Sequence, residues 1–215
     1  KITKQLLASF NDRYVLLYWF PAIGSYVILL GQVLLSLVLK SKIKINEFWL
    51  ILNVFITIFL FRWPWLSVGE QLMDEGFIVA IARTLLVDPV YWKSVDGGTH
   101  GPLVALPLVI ANLLFGFKIE IGLAKAIGLF QLVSCVVFLY WSLKNLLSVK
   151  TAKLCILPVI TFLALQTYYD FLAYNGEMPV IFLLSFSLLL ASFLNKVTNA
   201  KHFTLMFVIG LVLGS

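Results

Sequence analysis

Two acids stand side by side in LMDEGFIVAIARTLL, residues 72–86 of a 215-residue chain that holds only ten Asp and Glu in all. Asp74 and Glu75 follow the aromatic-rich stretch FRWPWL after seven intervening residues. Carboxylates so placed have three physical uses. One can take a proton as a general base, a pair can offer oxygen ligands to a hard divalent cation, and both can complement the positive end of a helix that they open. Choosing among these uses requires the elements that surround the pair.

Composition sets the class. The chain is 61% hydrophobic and 12% charged, with a mean hydropathy of +1.01, whereas roughly a quarter of the residues of a soluble domain are charged. This is the balance of a polytopic membrane protein. Several windows are long enough to cross a hydrocarbon core of roughly 30 Å, where only helices or closed barrels satisfy their own backbone groups. Barrel strands alternate apolar and polar residues and these runs do not, so the expected fold class is all-α, a polytopic transmembrane helical bundle. Residues 14–39 carry no charge, and residues 48–66 are interrupted only by Arg62, expected to snorkel to the interface beside Trp63 and Trp65. Further spans are expected at 121–143, 154–169 and 178–195, with a sixth from Phe203 left unfinished at Ser215. The chain opens on Lys1 and its first residues lack the order of a cleavable signal peptide, so both natural ends are expected to lie outside it.

Lysines orient the spans, because short cytoplasmic loops collect them. The clusters are Lys40, Lys42 and Lys44, then Lys144, Lys150 and Lys153, then Lys196 and Lys201. With these loops inside, 48–66 runs outward, 121–143 inward, 154–169 outward and 178–195 inward. Residues 101–117, short and broken by Pro102 and Pro107, must then lie in the outer interface or re-enter. The acids segregate accordingly: Glu70, Asp74, Glu75, Asp88, Asp96 and Glu120 fall in a first outer loop, Asp170 and Glu177 in a second. The net charge of +6 follows mostly from this bias, with attraction to anionic lipid as a secondary source, and calls for no nucleic acid. Cys135 and Cys155 both fall in spans, where small buried thiols are ordinary, and imply no disulfide framework or metal site. There is no P-loop, dinucleotide fingerprint, metal-ligand Cys or His cluster, or repeat of solenoid length.

The first outer loop, 67–120, is too long to be a bare connector. Ser67 or Gly69 is expected to cap a helix whose opening turns hold Glu70, Asp74 and Glu75, and whose Ile78, Ile81, Ala82 and Leu85 form an apolar stripe along the interface. Asp88-Pro89 ends it. The following YWKSVDGGTHGPL, residues 91–103, supplies Gly97-Gly98, interfacial aromatics and His100 before a Gly-Pro turn.

An outward-running helix, an Asp-Glu pair opening a juxtamembrane helix, a GTHGPL turn into a short apolar helix ending at Phe115-Gly116, and a later outer-loop acid form an ordered set. Over roughly residues 46–195 this set resembles the glycosyltransferases of the GT-C fold, among them the protein O-mannosyltransferases and the lipid A aminoarabinose transferases. The resemblance implies a division into an N-terminal segment, 1–45, with one extra transmembrane helix, and the truncated N-terminal part of a GT-C-like catalytic domain, 46–215. It implies transfer of a sugar from a polyprenyl-phosphate donor to a lipid, glycan or protein acceptor by inverting displacement. The site would lie on the non-cytoplasmic face of a bacterial inner (plasma) membrane, in the cell envelope. Asp74 matches the family's catalytic acid, Glu75 is its neighbour, and Glu177 in AYNGEMP matches the acid of the second outer loop. His100 departs from relatives that carry KPPL, whose lysine would meet the lipid phosphate; Lys93 and Arg83 are the substitutes in the same loop. Asp74 and Glu177 are also candidate ligands for a divalent cation, Mg or Mn, and no other cofactor is called for.

Each feature has a plainer alternative. Asp74-Glu75 could be a solvated first helical turn, His100 a turn histidine bonding the backbone, and Glu177 or Asp170 the mark of a helix end. Trp63, Trp65, Tyr91, Trp92, Tyr168 and Tyr169 are interface anchors on the same view. A transporter or a non-catalytic membrane assembly subunit is the rival class, but a transporter keeps its ionisable groups near the bilayer midplane. Here the spans hold few, apart from Arg62 and Lys125 near their ends. With Cys135 and Cys155 replaced, a single cysteine at Ser94 should be labelled from outside by an impermeant thiol reagent and one at Ser148 should be protected. Labelling of the Ser148 site alone would reverse the topology.

Overall fold

The computed structural model describes residues 13–38, 46–70, 72–91, 93, 95, 101–196 and 199–214. Among them the secondary structure is helical, with one isolated bridge between Tyr91 and Val95 and no strand. Two compact units divide the chain between Trp63 and Pro64.

The first unit holds α1, Arg13–Val38, and most of α2, Glu47–Leu66. They run antiparallel. The Tyr18 hydroxyl donates to the Phe61 carbonyl at 3.1 Å near one end, and Asn53 Nδ2 donates to Gln32 Oε1 at 3.3 Å nearer the other. Pairing two amides across apolar helices satisfies groups that hydrocarbon would leave bare. Arg62 is buried rather than reaching outward as expected; its position on the face with Val54, Ile58 and Phe61 turns its stem inward.

The second unit begins at the end of α2 and continues with α3 (Met73–Val87), α4 (Pro102–Phe115), α5 (Ile121–Leu146), α6 (Val149–Leu165), α7 (Glu177–Ala191) and α8 (Asn199–Gly214). The N-cap of α3 is Leu72, with no side-chain cap bond, so neither Ser67 nor Gly69 caps it; Asp88 closes it. This later start puts Asp74 and Glu75 in its first turn. Ile78, Ile81, Ala82 and Leu85 are buried as the stripe required. Pro102 opens α4 just after Gly101, where its missing N–H removes no bond. The helix runs through Pro107 without a break and stops at Gly116, whose φ of 68° favours glycine. Ser148 Oγ caps α6 by accepting the Thr151 N–H at 3.2 Å.

Helix α5 packs most extensively on α7, then on α6; α3 lies on α4, and α7 on α8. Phe138 meets the rings of Phe182 and Phe186 at 5.6 and 5.3 Å between centroids, filling the α5–α7 seam. Among the described residues three helices are long and apolar enough to cross a membrane: Tyr18–Val38 within α1, α2, and α5. The expected spans 154–169 and 178–195 are helices of 17 and 15 residues shifted toward the N-terminus, Val149–Leu165 and Glu177–Ala191, thus about 26 and 23 Å long. Of the two thiols, Cys135 is buried and Cys155 is exposed, contrary to the expectation for the second.

Candidate functional site

Glu75 recurs with Ile78, Val79 and Ala82 at offsets of three, four and seven residues, the spacing of one helix face. That face is the buried one. Glu75 is 0% exposed and Asp74, one residue away around the helix, is exposed. The carboxylate of Glu70 lies against Gly76, adding a further exposed acid at the start of α3.

Both oxygens of Glu75 are engaged. Oε1 accepts the Tyr174 backbone N–H at 3.0 Å, and Oε2 stands 3.8 Å from Lys125 Nζ. Lys125 sits one turn inside α5 and is also buried. Its ammonium donates to the carbonyls of Trp65, Val68 and Gly69 at 3.3, 2.8 and 3.0 Å. Tyr174 belongs to the segment between α6 and α7, and its hydroxyl donates to the Val104 carbonyl of α4 at 2.9 Å. Burial lifts the Tyr174 phenol well above its ordinary value, so it remains a protonated donor at any physiological pH. Its ring lies close on Gly128 of α5: a Cβ there would stand 3.1 Å from Cδ2, tight enough that the ring would have to shift by a few tenths of an ångström. One buried cluster therefore ties together the exit from α2, the first turn of α3, the start of α4, the start of α5 and the α6–α7 connection.

The remaining candidates are dispersed around this cluster. Glu177 is exposed in the first turn of α7, three residues after Tyr174, while Asp170 is half-buried and its carbonyl accepts Asn175 Nδ2 at 2.9 Å. Arg83 donates Nε to the Ile119 carbonyl at 2.9 Å and so pins the α4–α5 connection rather than Glu75. Lys93 is exposed in the turn between Tyr91 and Val95. His100, with Gly97 and Gly98, lies outside the described residues. Asp74, Glu177, Lys93 and Arg83 are all exposed, and among the described residues no ion pair joins any two of them. Tyr168 and Tyr169 are exposed with ring centroids 4.5 Å apart; their hydroxyl contact, reinforced by the charge of Asp170, pushes Tyr168 up to about 12.

Of the acidic pair, then, Asp74 is exposed and Glu75 is committed to the fold. Among the described residues no three His, Cys, Asp or Glu side chains converge as metal ligands. Asp74 and Glu177 alone do not make a built cation site. Lys125, Tyr174 and Gly128 hold the cluster together and were not singled out by any motif. The available signal was a single lysine one turn into the span GLAKAIG, where an ammonium needs a carboxylate within reach. No family model, curated protein or solved structure matches the chain.

The pair can be tested through its coupling. Lys125→Met leaves a buried carboxylate and three carbonyls without their cation and is expected to cost about 3–5 kcal/mol. Glu75→Gln keeps the acceptor for Tyr174 and should cost less. In thermal or denaturant unfolding of the protein in detergent, the double variant should lose at least about 1 kcal/mol less than the sum of the two. Additive losses would mean the two charges do not sense each other.

Proposed function

We propose that the chain is the N-terminal membrane part of a GT-C type glycosyltransferase that moves a sugar from a polyprenyl-phosphate donor to an acceptor hydroxyl on the non-cytoplasmic side. The observation that carries the reading is the division of labour in the acidic pair: Glu75 is buried on Lys125 and Tyr174, and Asp74 is exposed on the same helical turn. A carboxylate held on a fixed backbone beside the membrane surface is what a positioned general base requires. Asp74 takes the proton of the acceptor hydroxyl as its oxygen bonds to the anomeric carbon. The bond from that carbon to the phosphate oxygen breaks, and the phosphate leaves with the electron pair, inverting the centre. His100 and Lys93 are assigned the leaving phosphate, with Arg83 held back by Ile119, and Glu177 the acceptor side.

In this reading α2 runs outward, α5 inward, α6 outward and α7 inward. Helices α6 and α7 cross by thinning the bilayer around them and using their flanking turns. Helix α4, 14 residues and thus about 21 Å long, lies at the outer interface. A transporter would keep its charges near the midplane, whereas Lys125 stands about 6 Å along the axis from the start of α5.

In the full-length protein, Asp74→Asn keeps shape but removes the basic oxygen. It should lower transfer of a radiolabelled sugar from a polyprenyl-phosphate donor by a factor on the order of 10² to 10⁴ with donor binding retained, while His100→Ala should mainly weaken donor binding. Transfer at the wild-type rate by the Asp74→Asn protein would remove the general-base assignment, and absence of transfer by the wild-type protein would remove the proposed activity.

A further inference from the structure

At the end of the second unit opposite the acidic loops, the α5–α6 and α7–α8 connections are fastened to each other by polar side chains. Lys196 Nζ donates to Asn145 Oδ1 at 2.7 Å, and Asn145 Nδ2 donates to Ser192 Oγ at 2.9 Å. The ammonium also stands 5.8 Å from the centroid of the Phe193 ring. Lys196 is nevertheless exposed. An ammonium has three donors, so the bond to Asn145 fixes its position and leaves further donors directed outward.

The surroundings are of one sign. Residues 121–169 and 178–215 contain no Asp or Glu, while Lys144, Lys150, Lys196, Lys201 and the buried Lys153 all belong to this end. Apolar side chains stand among them. In the α5–α6 connection Leu146 and Leu147 are 55% and 50% exposed, directly between Lys144 and Lys150. Lysines at headgroup level with leucines beneath them match the layering of a bilayer interface.

We infer that this end of the bundle, where Lys196 is held on Asn145 beside the exposed Leu146 and Leu147, binds the headgroup of an anionic phospholipid. Its phosphate oxygens accept from Lys196 and Lys150, and its acyl chains lie against the two leucines. Charge complementarity selects an anionic over a zwitterionic lipid, and the contiguous apolar surface selects a lipid over free phosphate. The inference is independent of the catalytic reading.

The test uses the full-length protein extracted from bilayers containing equal amounts of phosphatidylglycerol and phosphatidylcholine, with retained lipid counted by native mass spectrometry. The wild-type protein should be enriched in phosphatidylglycerol. Lys150→Gln with Lys196→Gln should reduce that enrichment by about five-fold per lysine, and Lys196→Arg should preserve it. Lys118→Gln, in the exposed connection at the opposite end, should leave it unchanged. Inorganic phosphate should displace no more phosphatidylglycerol than chloride at equal ionic strength. Equal retention of the two lipids by the wild type, a double variant no different from Lys118→Gln, or displacement by inorganic phosphate would each overturn the inference.

Discussion

A buried carboxylate facing a buried ammonium organises the second unit of this protein. Taking either charge from water costs several kcal/mol, and such a pair persists only where its remaining hydrogen-bonding capacity is filled. Here it is filled by backbone. Lys125 takes three carbonyls from the chain leaving α2, and Glu75 takes the Tyr174 amide from the α6–α7 connection. These partners lie far apart in sequence, so the pair specifies which segments meet. A pair of apolar residues would fill the same volume without recognising those backbone groups. The 3.8 Å separation of Glu75 Oε2 and Lys125 Nζ makes their attraction mainly Coulombic, while the directional bonds run to main chain.

The consequence for Asp74 is geometric. A side chain on the first turn of a short helix would ordinarily fray with that turn, which has no side-chain cap. Anchoring the adjacent Glu75 in the interior replaces the missing cap. Asp74 then stays accessible on a backbone tied to the interior, which is what the proposed general-base role would require. Tyr174 extends the anchor: its hydroxyl reaches Val104 and its ring lies on Gly128, so α4 and α5 share the restraint.

Much of this was legible in the sequence. The unbroken apolar runs and the absence of alternation pointed to helices, and Asp88-Pro89 and Phe115-Gly116 marked two of their ends correctly. The stripe through Ile78, Ile81, Ala82 and Leu85 gave the buried face of α3. Extended backwards, that stripe reaches Glu75 three residues before Ile78 and Asp74 four before it, so the spacing alone did not tell which of the two acids turns inward. The partner of Glu75 was harder to see, because the contact between Glu75 and Lys125 is made across 50 residues and depends on how α3 lies against α5. The caps failed for another reason. Ser67 and Gly69 have suitable chemistry, but Lys125 takes the carbonyls of Val68 and Gly69 and holds that stretch non-helical. Helix α6 begins before its expected span and ends at Gln166 ahead of that span's end, and α7 stops at Ser192 short of its apolar run.

The most direct test of the central claim is hydrogen exchange at the Tyr174 backbone amide, compared between the wild-type protein and Glu75→Ala. A hydrogen bond to a buried charged acceptor protects its donor, and losing it should speed exchange by about tenfold or more. The amide of Val136, in the middle of α5, should keep its protection and report that the bundle is intact. If Tyr174 exchanges equally fast with and without Glu75 while Val136 stays protected, the carboxylate does not hold the second loop and the account built on it is wrong.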